Sequence, residues 1–219
     1  MNFWHMIVRF FQGGGIMMFP IAIVFVLGLC IAIERYLYLQ LVAVRNRKLW
    51  NEIVPMLSQG NFRQVVQVTS KSPSAIGHIL NYGLARIQGA QRRDDIEKAM
   101  EESLMEVVPR LEKRTHYLAT FANLATLLGL LGTVIGLINA FAAVATVNPA
   151  EKANLLSASI SVAMNCTAFG LMTAVPILFT HAWLQTKTTE LIDSLEMASV
   201  KFLNAITERR PQAPAPAAA

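Results

Sequence analysis

Three long apolar stretches without charged residues predict the architecture of this chain. The first, residues 16–33, holds eighteen uncharged residues and is closed by Glu34-Arg35, with Tyr36 and Tyr38 just beyond. A helix needs about 20 apolar residues to cross a bilayer, and tyrosines gather where it leaves the lipid. The second, residues 117–147, has no charge either, and the third runs from 153 to about 183. Between them lies Asn148-Pro149-Ala150-Glu151. Asn caps a helix, Pro suits the first helical position, and an acid three residues after the cap completes the signal. The pattern therefore predicts spans at 16–39, 117–147 and 153–184. A short turn at 148–152 makes the last two an antiparallel hairpin.

Residues 40–116 carry helical signals. Leu49, Trp50, Ile53, Val54 and Leu57 form an apolar stripe, Gly60-Asn61 is a turn, and a short helix suits 62–68. Ser72-Pro73 reads as a cap and first helical residue for a helix to about 87. Asp94, with Glu97 three residues later, opens another helix. No clear stop follows before Val147, so one long helix is predicted, with a kink at Pro109. The third span is expected to continue over 185–208, with Leu191, Leu195 and Met197 on its buried side. Residues 1–15 suggest an interfacial amphipathic helix ended by Gly13-Gly14-Gly15. The Pro/Ala-rich tail 209–219 is expected to be disordered. The fold class is all-α integral membrane: three transmembrane helices with long helical extensions.

Composition agrees. Hydrophobic residues make up 54% and charged residues 15% of the 219, against about 25% charged in soluble domains. The net charge of +5 does not call for nucleic acid. Residues 41–116 hold twelve Lys/Arg and eight Asp/Glu, and topology accounts for that excess. The positive-inside rule places this segment, and a C-terminal segment with Lys187, Lys201, Arg209 and Arg210, in the cytoplasm. The N-terminus is then periplasmic. Arg9 precedes the first apolar run, but no A-x-A-like cleavage site follows it, so a retained span is expected. Cys30 and Cys166 both fall in apolar stretches and read as small membrane-buried residues. His5, His78, His116 and His181 form no metal or triad pattern. The glycines of the second span follow no strand and precede no Lys-Ser/Thr, which excludes a phosphate-binding loop. No enzyme activity and no cofactor are expected.

The candidate chemistry lies within the spans. Gly129, Thr133, Gly136 and Ala140 are spaced four, three and four residues apart, so they share one helix face, with Gly132 beside them. Small residues on one face let helices approach closely in lipid. Thr126 and Asn139 also lie in the second span, and Ser161, Asn165, Thr167 and Thr173 in the third. Thr167 shares a face with Ala163, Gly170 and Ala174, while Asn165 lies about 200° away. Two readings stand. These side chains either hold helices together, at about 0.6 kcal/mol each, or line a polar path through the membrane. No Asp or Glu lies in mid-span, and a proton path normally needs a titratable group. Proton conduction would thus take its carboxylate from another chain.

Four stretches resemble the MotA/TolQ/ExbB proton-channel family, in particular its ExbB and TolQ members. Gly14-Gly15-Ile16-Met17-Met18-Phe19-Pro20 and Ile33-Glu34-Arg35-Tyr36-Leu37-Tyr38-Leu39 are similar to the two ends of the family's first span. Leu128-Gly129-Leu130-Leu131-Gly132-Thr133-Val134 resembles its most specific motif. Thr167-Ala168-Phe169-Gly170-Leu171, followed by Ala174-Val175-Pro176, resembles its third-span motif. The resemblance covers about residues 13–205. It implies a ring, typically a pentamer, around single spans of an ExbD/TolR-like partner that supplies an intramembrane aspartate. It also implies force passed to a TonB- or TolA-like transducer, in a bacterial inner membrane. Thr133 and Thr167 match the family's pore threonines. The chain departs from the family pattern at Val162, where many members have glutamate. It departs also at Thr126 in place of proline, at Cys166 in place of threonine, and at Asn165, an added amide. A sodium-driven motor and a non-conducting scaffold are the alternatives.

Overall fold

The computed structural model describes His5, residues 13–86 and residues 93–207. The amphipathic helix expected at 1–15 and the tail 209–219 lie mostly or wholly outside these residues. Six α-helices and no strand occur among the described residues: α1 Met18–Gln59, α2 Phe62–Lys71, α3 Ala75–Arg86, α4 Arg93–Glu112, α5 Thr115–Thr146 and α6 Pro149–Thr207. The stretches Met18–Gln59, Arg93–Thr146 and Pro149–Thr207 are long and apolar enough to cross a membrane. The chain divides into two compact units. One comprises Met1–Arg35 and Arg114–Gln185, the other Tyr36–Lys113 and Thr186–Ala219.

The first unit is built on small residues. On α5, Ala122, Ala125, Gly129, Gly132 and Ala140 are buried. On α6, Ala163, Cys166 and Ala174 are buried too. A Cβ added at Gly170 would stand 2.7 Å from the Ala125 carbonyl oxygen and 3.0 Å from the Gly129 Cα. The two backbones therefore touch with no room for a side chain, as close packing in lipid requires. A Cβ added at Gly136 would meet Ala163 Cβ at 2.8 Å. Helix α1 joins through Gly28, where an added Cβ would lie 2.9 Å from Ile177 Cδ1. Glu34 pairs with Arg114 at 3.2 Å, while Arg35 is buried.

The second unit has an aliphatic core that includes Ile53, Val65, Ile79, Leu80, Ile96, Leu111, Leu195 and Phe202. Helix α1 stops at a Schellman turn. Gly60 has φ +77°, its N–H donates to Leu57 O, and the Asn61 N–H donates to Met56 O. Only glycine adopts that backbone cheaply.

Helix α1 runs without a break through residues 40–45, where Leu41-Val42-Ala43-Val44 offers no breaker. Three sequence expectations change. First, α3 starts two residues late. Ser72 closes α2, its N–H bonding Thr69 O, and Ser74 Oγ caps α3 by accepting the Gly77 N–H at 3.1 Å. Second, the expected single helix from Asp94 to Val147 is broken at Lys113-Arg114, where Arg114 takes φ +67°. Pro109 stays inside α4. Third, Met197 is 56% exposed. The buried stripe is Leu191, Leu195, Ala198 and Phe202, and Met197 lies about 200° from Leu195. The hairpin link is Val147-Asn148, with α6 starting at Pro149.

Two outcomes follow. Gly170→Val would press a side chain on backbone that cannot yield, and is expected to destabilise the detergent-solubilised protein by about 1–3 kcal/mol. Gly28→Ala meets only a flexible side-chain end and is expected to change stability by less than about 0.5 kcal/mol. Thermal melts of the two variants compare them directly. In the second unit Phe202→Ala is expected to cost about 3–5 kcal/mol. Exposed Met105→Ala is expected to stay within about 0.5 kcal/mol. Limited proteolysis across a denaturant series measures both.

Candidate ion-pathway residues

A hydroxyl inside an apolar helix bundle must find an acceptor. Threonine does so on its own helix by turning back to a carbonyl three or four residues earlier. Thr126 Oγ1 donates to Ala122 O at 3.1 Å. Thr133 Oγ1 donates to Leu130 O at 2.6 Å. Thr167 does otherwise: its Oγ1 crosses the hairpin and donates to Gly129 O on α5 at 2.9 Å. The missing side chain at Gly129 is what opens that carbonyl to a neighbour, since the Thr167 Cα itself lies 3.3 Å from where a Cβ would be.

The acceptors of Thr133 and Thr167 are thus consecutive carbonyls of α5. Both hydroxyls lie at one level of the first unit, and neither uses the other as a partner. Each gives its proton to backbone, which leaves the oxygen lone pairs as acceptors.

The remaining candidates fall into three groups. Gly129, Gly132, Gly170 and Thr173 are buried, and Gly136 is half-buried against Ala163. Thr126, Asn139 and Ser161 are exposed on this single chain. Asn165 is half-buried, and its Nδ2 donates to Gly13 O at 3.3 Å. That bond ties the glycine turn before α1 to the first third of α6. Beside it, Gly15 at φ +71° faces Val162 Cγ1. Asn165 and Thr167 therefore both have partners within the chain, on different sides of α6.

The sequence reading did not foresee the Asn165–Gly13 bond or the Glu34–Arg114 pair. Both join residues far apart in sequence, and the only signals were polar groups placed at span ends or in mid-span. Among the described residues, no group of His, Cys, Asp and Glu is arranged to hold a metal ion. Cys30 and Cys166 are free thiols, the first exposed and the second buried against Gly132. Both lie within helices long and apolar enough to cross a membrane, where the sequence reading put them, with Cys30 on a face of α1 that the single chain leaves uncovered.

Comparison with known proteins places these residues in context. A family described as the MotA/TolQ/ExbB proton channel family matches residues 71–197. A biopolymer transport protein ExbB homolog of Methanothermobacter thermautotrophicus is 24% identical over 198 residues, covering 90% of this chain and 69% of the relative. The biopolymer transport protein exbB1 of Vibrio cholerae is 29% identical over 171 residues, covering 74% and 72%. The Tol-Pal system protein TolQ of Haemophilus influenzae is 27% identical over 146 residues, covering 67% and 55%. The family match includes both the Gly129–Thr133 and the Thr167–Gly170 segments and more than half of the chain. With its three membrane-length helices, the chain is a multi-pass inner-membrane protein that belongs to the MotA/TolQ/ExbB proton channel family and is of the ExbB/TolQ type.

Proposed function

We propose that this chain is the channel subunit of an inner-membrane motor that converts proton motive force into mechanical work. The observation that carries the reading is the level of α5 where Thr133 and Thr167 bond consecutive carbonyls. It sits in a bundle whose second and third spans have no carboxylate in mid-span. Hydroxyl oxygens there are able to accept a hydrogen bond from a protonated acid, but they have no titratable group of their own. The proton carrier is an aspartate on a single-span ExbD/TolR-like partner, held inside a ring of these chains, a homopentamer by family likeness. Protonation would remove the aspartate's charge and let it pass an apolar wall. One charge crossing about 150 mV releases about 3.5 kcal/mol, enough to bias a step between packed helix arrangements. A TonB- or TolA-like transducer would carry the force onward.

In this reading the N-terminus is periplasmic. Residues 40–116, the α6 extension over 185–208 and the C-terminus are cytoplasmic, as the distribution of Lys and Arg favours. Apolar residues exposed on the single chain, among them Leu127, Leu131, Val134 and Phe141, would meet lipid or further copies. A proton suits the site better than sodium, because dehydrated cations need several oxygen ligands together.

A second reading has its own support. The Thr167–Gly129 bond is an interhelical tie, which is what a non-conducting scaffold would also need. Thr133→Val and Thr167→Val separate the two. The bond lost in Thr167→Val is worth only about 0.6 kcal/mol, so the complex is expected to assemble. Proton flux in reconstituted vesicles is expected to fall at least about tenfold, the effect of roughly 1.4 kcal/mol on a barrier, and Thr167→Ser is expected to restore it. Full flux in both valine variants would remove the threonines from the pathway.

A further inference from the structure

The exposed polar residues of the membrane unit are divided between the two hairpin helices. On α6, between the hairpin link and Thr167, Asn154, Ser157 and Ser161 are exposed and Asn165 is half-buried. Their spacing of three, four and four residues keeps them within about 80° of one another around the helix. Beyond Thr167 the same arc carries Leu171, Val175 and Phe179, which are exposed and apolar. Helix α5 shows the reverse order. Between the link and Thr133 its exposed arc holds Leu137 and Phe141. On the far side of Thr133 that arc holds Thr126 and Asn123, both exposed. Asn139 lies about 200° around from Leu137 and is off this arc.

The polar halves do not suit lipid. An amide or hydroxyl in hydrocarbon needs a hydrogen-bond partner. Hydroxyls on such helices turn back to their own backbone, as Thr126 does to Ala122 O and Thr180 to Pro176 O. Ser157 and Ser161 do not. Among the described residues, neither they nor Asn154 and Asn123 have a side-chain hydrogen bond. Water both donates and accepts, so it matches a line of such groups, and linings of this kind mark ion pathways.

We propose that the two polar arcs are separate water-filled half-paths. Asn154, Ser157 and Ser161 on α6 admit protons from the periplasm. Thr126 and Asn123 on α5 release them to the cytoplasm. The two meet only at the level of Thr133 and Thr167. This assignment deepens the channel reading and rests on it. Neither helix is polar along its whole length, so a proton that enters along α6 has to change helices to leave. Its carrier, the carboxylate on the partner, takes up the proton while facing α6 and gives it up while facing α5. Each passage therefore requires a sideways shift of the carrier, which ties flow to motion.

Thiol accessibility tests the assignment without measuring flux. Single cysteines are placed in the full chain carrying Cys30→Ala and Cys166→Ala. The native complex, in right-side-out and inverted vesicles of its own membrane, is treated with a charged methanethiosulfonate that cannot cross lipid. Only a thiolate reacts, and an apolar setting suppresses the thiolate. Ser157→Cys and Ser161→Cys are expected to react from the periplasmic side, and Asn123→Cys and Thr126→Cys from the cytoplasmic side, each at least about tenfold faster than Ile138→Cys and Phe179→Cys. Ser161 and Thr126 lie deeper in each half and decide the matter. If Asn123→Cys fails to assemble, Thr126→Cys carries the cytoplasmic arm. Rates at Ser161→Cys or Thr126→Cys no higher than at the apolar positions would overturn the half-paths, as would reaction of both from one side. Either result, together with lost flux in Thr167→Val, would leave the channel reading standing without them. The expected labelling with full flux in Thr167→Val would keep the half-paths and remove that threonine from the pathway.

Discussion

The contact between the backbones of α5 and α6 is the constraint on which the membrane unit depends. Gly170 meets the Ala125 carbonyl and the Gly129 Cα with no space for a methyl group. Lipid gives little hydrophobic drive for helix pairing, so association rests on packing and on hydrogen bonds between helices. Glycine serves both needs here. It allows the approach, and it bares the Gly129 carbonyl that receives the Thr167 hydroxyl. Packing and polar placement are one feature of the hairpin rather than two.

That coupling explains why the polar residues of the spans are tolerable in lipid. Threonine side chains are short enough to reach a carbonyl on their own helix, as Thr126 and Thr133 do. Asn165 is longer and finds Gly13 O in the turn that precedes α1. Each such bond is modest, and none carries a charge. The level of Thr133 and Thr167 thus presents hydroxyl oxygens with free lone pairs and no charged side chain of its own. The proposed division of labour, with the carboxylate on a partner, follows from that chemistry.

Much of the fold was legible in the sequence because its signals are local. Eighteen uncharged residues before Glu34-Arg35, and Asn148-Pro149 between two apolar runs, specify helices and a tight link with few alternatives. The Gly60-Asn61 turn was readable for the same reason. Boundaries set by competition were not. Ser72 and Ser74 are both good caps, and Ser72 is taken by the end of α2. The break at Lys113-Arg114 has no glycine to announce it, and Arg114 holds φ +67° beside a partner, Glu34, eighty residues away. Met197 was misplaced because one helical face was counted two residues off. In the candidate site, the small-residue faces around Gly129 and Thr167 could be read from spacing. The bond between them could not, since helix periodicity gives the face but not the carbonyl it meets.

The central claim is that this chain encloses a partner that carries the titrating acid. Native mass spectrometry of the complex, purified from its own membrane in mild detergent, tests that most directly. The account predicts a ring of several copies holding a smaller single-span protein with an aspartate at its membrane helix. A homo-oligomer or monomer with no acid-bearing partner would contradict it, because no Asp or Glu lies in mid-span in this chain to carry the proton.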